Sequence, residues 1–132
     1  MKRTFILVGI ALLAFAIFLL QQYALDMYLY WRFWWFDVLM HGLGGVLIGS
    51  FALWFFVFEF QTKYNRLLLF SLASVLGVGI AWEIFEKVAG WQVDRTLAAY
   101  VFDTLGDIVM DILGGFLAYF ICSRIWKNSL SQ

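Results

Sequence analysis

Proline is absent from the 132 residues, cysteine and histidine occur once each, and charged side chains make up only 14%. Without proline, no apolar run is interrupted by a ring that blocks helical hydrogen bonding. A lone Cys122 excludes an intramolecular disulfide and a cysteine-rich metal site; near the end of the last apolar run, it reads as a small apolar side chain. Nine basic and nine acidic residues cancel, and no basic patch points to nucleic acid. The scarcity of charge excludes more. A soluble domain carries about 25% charged residues, and a fold this small has too much surface to hide the apolar remainder.

What the chain has in quantity is apolar side chain: 64% of residues are hydrophobic, including 15 Phe and 7 Trp, an excess for which lipid is the natural solvent. Lipid cannot satisfy backbone groups, so only helices and closed barrels span it, and these runs are too long and continuous for alternating barrel strands. The chain therefore reads as an all-α integral membrane bundle, one transmembrane domain over 1–132. Its four transmembrane helices are expected at about 5–25, 37–58, 67–87 and 103–126. Met1-Lys2-Arg3 before an apolar run resembles the start of a secretory signal. The run is long for that role and no small-x-small cleavage site follows, so an uncleaved first helix is expected. Tyr28, Tyr30, Trp31, Trp34 and Trp35 form an aromatic belt of the kind found at a membrane interface. Residues 88–102, the longest connection, are expected to lie partly on the surface as a short amphipathic helix.

Basic residues give this topology a direction. Lys2, Arg3, Lys63, Arg66, Arg124 and Lys127 fall on one side; Arg32, Lys87 and Arg95 fall on the other. Six against three puts both termini in the cytoplasm of a multi-pass protein of the cytoplasmic (inner) membrane. Asp37 and His41, Glu83 and Glu86, and Asp103, Asp107 and Asp111 then all reach the outer half of the bilayer. At 1.5 Å rise per residue, Asp111 lies about 12 Å along its helix from Asp103, and His41 about 6 Å from Asp37. Helical spacing places each set on one face. Turning those faces inward makes one polar cleft and avoids carboxylates in lipid.

Six carboxylates around one imidazole cannot all stay ionised without protons, basic partners or a cation. Asp37, His41, Glu83, Glu86, Asp103, Asp107 and Asp111 are the candidate metal ligands. The implied cofactor is a divalent cation of open identity: oxygen donors suit calcium, magnesium or manganese, and the imidazole admits zinc or iron. His41, Glu86 and Asp107 are the candidate proton-moving groups of any catalysis there, and Lys87 and Arg95 the candidate anchors for a ligand or lipid headgroup. Blander roles stand beside these. Glu83 and Lys87 are spaced as a surface ion pair, and Asp103 and Asp37 can cap their helices. The glycines Gly44, Gly45, Gly49, Gly77, Gly114 and Gly115 are read as close helix contacts. A faint echo between Asp37-x-x-x-His41-x-x-Gly44-Gly45 and Asp107-x-x-x-Asp111-x-x-Gly114-Gly115 is read the same way, as packing beside a polar site.

Three segments carry a resemblance: Phe36-Asp37-Val38-Leu39-Met40-His41, Trp82-Glu83-Ile84-Phe85-Glu86, and the run from Asp103 through Asp107 and Asp111 to Gly114-Gly115. Together they resemble the YjdF-like bacterial membrane proteins and, more distantly, the VanZ-like membrane proteins. The chain is short for the former, and the latter place an Asn where Asp111 stands; Arg95 corresponds loosely to an Arg after their glutamate-bearing helix. The resemblance implies a bacterial or archaeal cytoplasmic-membrane protein and supplies no reaction.

Four functions follow in order. The first is a divalent-cation site, with a lipid or small-molecule ligand. The second is a metal-dependent enzyme acting on a lipid-linked phosphate. The third is proton or cation transport, which needs a polar path to the cytoplasmic side that the sequence does not display. The last is a structural or assembly role. Membrane lipids are expected partners, a homo-oligomer is an open alternative, and nucleic acid is not expected.

Overall fold

Buried positions recur every fourth residue along three of the long helices, and this spacing sets the architecture. The computed structural model describes residues 2–90 and 96–130. Its elements are α1 (Lys2–Asp26), α2 (Leu29–Arg32), α3 (Trp35–Phe58), α4 (Tyr64–Ala89) and α5 (Leu97–Leu130), with no strand among the described residues. α1, α3, α4 and α5 are each long and apolar enough to cross a membrane. Twenty-four residues at 1.5 Å each make about 36 Å, more than the roughly 30 Å hydrocarbon core. The chain is an all-α bundle of four such helices.

α3 buries His41, Gly45, Gly49 and Leu53; α4 buries Leu67, Ser71, Val75, Gly79 and Glu83; α5 buries Asp107, Asp111, Gly115, Ala118 and Cys122. A four-residue repeat brings the i±4 rows of the helices together, as in small-residue crossings within membranes. Each stripe runs from an acid or His at one end, through glycine, to apolar residues at the other. The most extensive contact is α3 with α5, followed by α3 with α4 and α4 with α5. Among the described residues α1 packs only on α3 and α2. Ala24 is its single buried side chain there.

The glycines make the α3–α5 seam. A Cβ on Gly45 would overlap the backbone of Asp111, and one on Gly114 would overlap the carbonyl of Gly42. A Cβ on Gly49 would stand 3.0 Å from the Cα of Gly115. The echo between the two helices is therefore a packing feature: one glycine of each pair, Gly45 and Gly114, receives the other helix's backbone beside the polar residues.

The helices extend beyond the sequence-based bounds, and the largest difference concerns α5. Leu97 to Phe102 begin this transmembrane-length helix rather than forming a separate surface helix, and residues 91–95 lie outside the described residues. Thr96 Oγ1 accepts the Ala99 N–H at 3.3 Å, an N-cap bond that sets this start. α4 stops at Gly90, whose φ of 71° is left-handed and whose N–H returns to the last turn. The unanticipated short helix, α2, lies within the aromatic belt.

Arg3 pairs with Glu59, and the Trp54 indole donates to the Arg3 carbonyl at 3.2 Å. Leu53, Leu67, Ala118 and Cys122 form an apolar cluster with Ile6 packed against it. The start of α1, the end of α3, the start of α4 and the last third of α5 therefore share one end of the bundle. His41, Glu83 and Asp107 lie toward the opposite end.

Candidate metal centre

Three helices each contribute acidic or imidazole groups to that opposite end. α3 carries Asp37 and His41 in its first two turns, α4 carries Glu83 and Glu86 in its last two, and α5 carries Asp103, Asp107 and Asp111 in its second to fourth. His41, Glu83, Asp107 and Asp111 are each no more than 7% exposed. Burial on this scale keeps water from satisfying the carboxylates, so their partners must come from the site itself.

The imidazole divides the cluster in two. Its Nε2 stands 3.8 Å from Glu83 Oε1 and 4.0 Å from Asp107 Oδ2. Both separations exceed hydrogen-bond reach. A cation with bonds of about 2.0–2.4 Å separates its donors by about 3 to 4.5 Å, so these spacings suit two ligands of one ion. Donor atoms of Asp37, His41 and Asp107 lie within 4.8 Å of one another, and so do those of His41, Glu83 and Glu86. The two groups share His41. This buried His/Asp/Glu cluster is able to coordinate a divalent metal ion.

Glu83 supplies the sharpest sign of a ligand. Its Oε2 accepts the Thr104 hydroxyl at 2.7 Å, which fixes the carboxylate between α4 and α5. Its Oε1 is buried and has no hydrogen-bond partner. An orphaned carboxylate oxygen in a dry site is costly, and this one faces the imidazole Nε2. Glu86 is held at the edge, where Oε1 accepts the Trp82 indole N–H at 2.9 Å.

The other nitrogen, His41 Nδ1, faces Asp111 Oδ2 at 3.4 Å. Asp111 lies deeper in the bundle than the donor groups and belongs to neither of them. Asp103, half-buried one turn before Asp107, also stands outside both.

A family model described as a predicted membrane protein (DUF2238) matches residues 1–128, nearly the whole chain. The chain belongs to the DUF2238 family. Neither a curated protein nor a solved structure matches it. Membership agrees with a multi-pass membrane protein.

Of the candidates expected in this DUF2238 chain, Asp37, His41, Glu83, Glu86 and Asp107 are brought together. Lys87 is exposed, its ammonium 4.7 Å from the centroid of the Tyr100 ring, where it bridges the end of α4 and the start of α5. Arg95 lies outside the described residues. Two neighbours escaped the sequence reading. Thr104 shows no sign of its role until the rotation of α5 against α4 is known. Tyr30 looked like one more belt aromatic, but its hydroxyl donates to Gln21 and its ring packs edge-on against Phe36 at 5.0 Å. Burial, and then the Asp37 charge, push its pKa up to about 12, so it remains a neutral donor beside the cluster.

Proposed function

We propose that this protein is a cytoplasmic-membrane metal-binding protein that holds a divalent cation in the outer half of its bundle. His41, Glu83 and Asp107 serve as the central ligands, completed by Asp37 and Glu86. The observation that carries the reading is the buried Glu83 Oε1, without a hydrogen-bond partner and 3.8 Å from His41 Nε2. A cation there would satisfy an oxygen that the protein leaves unsatisfied, and would offset the charge of the converging carboxylates.

The orientation follows from charge. Six of the nine Lys and Arg residues belong to the end that carries both termini, and placing that end in the cytoplasm sets the cluster toward the outside. Binding is favoured over conduction by the rest of the stripe. Leu53, Leu67, Ala118 and Cys122 close the opposite end, and the Ser71 hydroxyl is engaged by the Gly49 carbonyl at 3.3 Å.

The test is metal content. Protein purified without chelator, then equilibrated with Mn²⁺ or Zn²⁺ and desalted, is expected to retain metal. A His41→Ala, Glu83→Gln double variant is expected to retain none. Equal metal in the two would remove the site from these residues.

A further inference from the structure

Asp111 is the one member of the polar stripe whose surroundings are built around it rather than around the cluster. Gly45 of α3 lies against its backbone and Gly79 of α4 lies against its carboxylate; a Cβ at Gly79 would overlap Oδ2. Two helices thus give up a side chain where Asp111 packs, α3 at its backbone and α4 at its carboxylate. Within the socket the hydrogen-bonding neighbour of Oδ2 among the described residues is His41 Nδ1 at 3.4 Å. Only the tautomer with its proton on Nδ1 makes that contact a hydrogen bond, and in that tautomer the lone pair lies on Nε2. Nε2 is the nitrogen that faces Glu83 and Asp107.

We infer that Asp111 is a positioning residue, not a ligand: it locks the His41 tautomer so that Nε2 binds the cation, and thereby selects a transition-series divalent ion over calcium or magnesium. This rests on the metal-binding reading above and adds to it the class of metal. Carboxylates alone serve hard cations well, and calcium and magnesium gain little from an imidazole. Zinc and iron gain most from it and manganese to a lesser degree, and a carboxylate behind the ring raises the basicity of the bound nitrogen. Asp111 therefore acts on the part of the affinity that comes through nitrogen.

The experiment compares Mn²⁺ and Ca²⁺ binding to the full-length protein in detergent, with pulsed EPR of bound Mn²⁺ reporting nitrogen coupling. In Asp111→Asn, Mn²⁺ affinity is expected to fall about 10–100-fold, the usual cost of losing such an outer partner, with the nitrogen coupling altered and Ca²⁺ affinity unchanged. Gly79→Ala, which keeps every donor atom but displaces the Asp111 carboxylate, is expected to reproduce that Mn²⁺-specific loss. It carries the comparison alone if Asp111→Asn does not fold. Gly44→Ala, whose Cβ would rest 3.9 Å from Asp111 Oδ1 in ordinary contact, is expected to bind as wild type. Equal weakening of both cations would mean a merely structural role or direct ligation and would overturn the inference, as would unchanged Mn²⁺ binding in both variants. A wild-type protein that binds neither cation would instead overturn the metal site itself.

Discussion

The two ends of the bundle are joined by the same three helices and the same glycine seam, yet they bury opposite chemistry. One end packs Leu53, Leu67, Ala118 and Cys122. The other buries an imidazole and three carboxylates within the same helix stripes. Apolar residues would fill that second end at less cost, because buried ionisable groups are expensive wherever they lack partners. The seam between the ends supports both, so its loss should have the largest effect. Gly45→Ala is expected to cost about 3 kcal/mol or more, or to prevent folding, because its Cβ would meet the Asp111 backbone, which cannot swing aside. Gly77→Ala, pointing into open space, is expected to be neutral. Thermal unfolding in detergent would check the pair; equal behaviour would mean that the seam does not set the spacing.

The next effect separates the two ends. His41→Gln is expected to lower metal affinity about 100-fold or more, a larger loss than that of an outer partner, with little change in the stability of the metal-free protein, because its amide can still donate to Asp111. Leu53→Ala is expected to do the reverse: it opens a cavity in the apolar end, costs about 2 kcal/mol of stability, and leaves metal stoichiometry intact. If each variant impaired both properties, the two ends would be one cooperative unit and the division drawn here would fail.

That division was partly visible before any coordinates. Four-residue spacings such as Asp37 to His41 and Asp107 to Asp111 state which residues share a face, and lipid supplies the reason to turn that face inward. Spacing does not state how a helix is rotated within its inward arc. Asp107 and Asp111 share a stripe, yet one faces the ligand side of His41 and the other its back. The partner of Glu83 was hidden for the same reason, because Thr104 acquires meaning only from the packing of α5 on α4; Trp82, four residues before Glu86 on one helix face, was within reach of spacing alone. The start of α5 was missed for a different one. Asp94, Arg95 and Thr96 make the hydropathy fall before Leu97, and Asp103 then interrupts it again, although a buried-face acid is compatible with an unbroken helix.

A pH series sharpens the contrast between a site of ligands and a core of hydrocarbon. Metal binding requires His41 neutral and the carboxylates unprotonated, so bound metal displaces protons. Affinity is expected to rise with pH by about tenfold per unit for each proton displaced, flattening once the ligands are deprotonated. The apolar cluster supplies no ligand to the cation, so Leu53→Ala should shift stability without changing this slope. A metal titration repeated from acid to neutral pH tests the sign; affinity falling as pH rises would be incompatible with these ligands.

The smallest effect belongs to α1, which among the described residues packs on the three-helix core chiefly through α3. Arg3 pairs with Glu59 and lies over the Trp54 ring, 5.4 Å from its centroid, while the Trp54 indole holds the Arg3 carbonyl. Both partners of the ion pair are substantially exposed, 54% and 38% at the side chain, so screening leaves little of the Coulomb energy. Arg3→Ala is expected to cost about 0.5–1 kcal/mol, mostly from the lost ring contact. Because the backbone bond to Trp54 survives the substitution, α1 should loosen at its first turn rather than detach. Hydrogen exchange is expected to quicken over the first turn of α1 while α3 to α5 exchange as before and metal affinity is unchanged. Faster exchange at His41 or Asp107 would show that α1 supports the cluster as well as the apolar end, and that the two ends are less separate than their packing indicates.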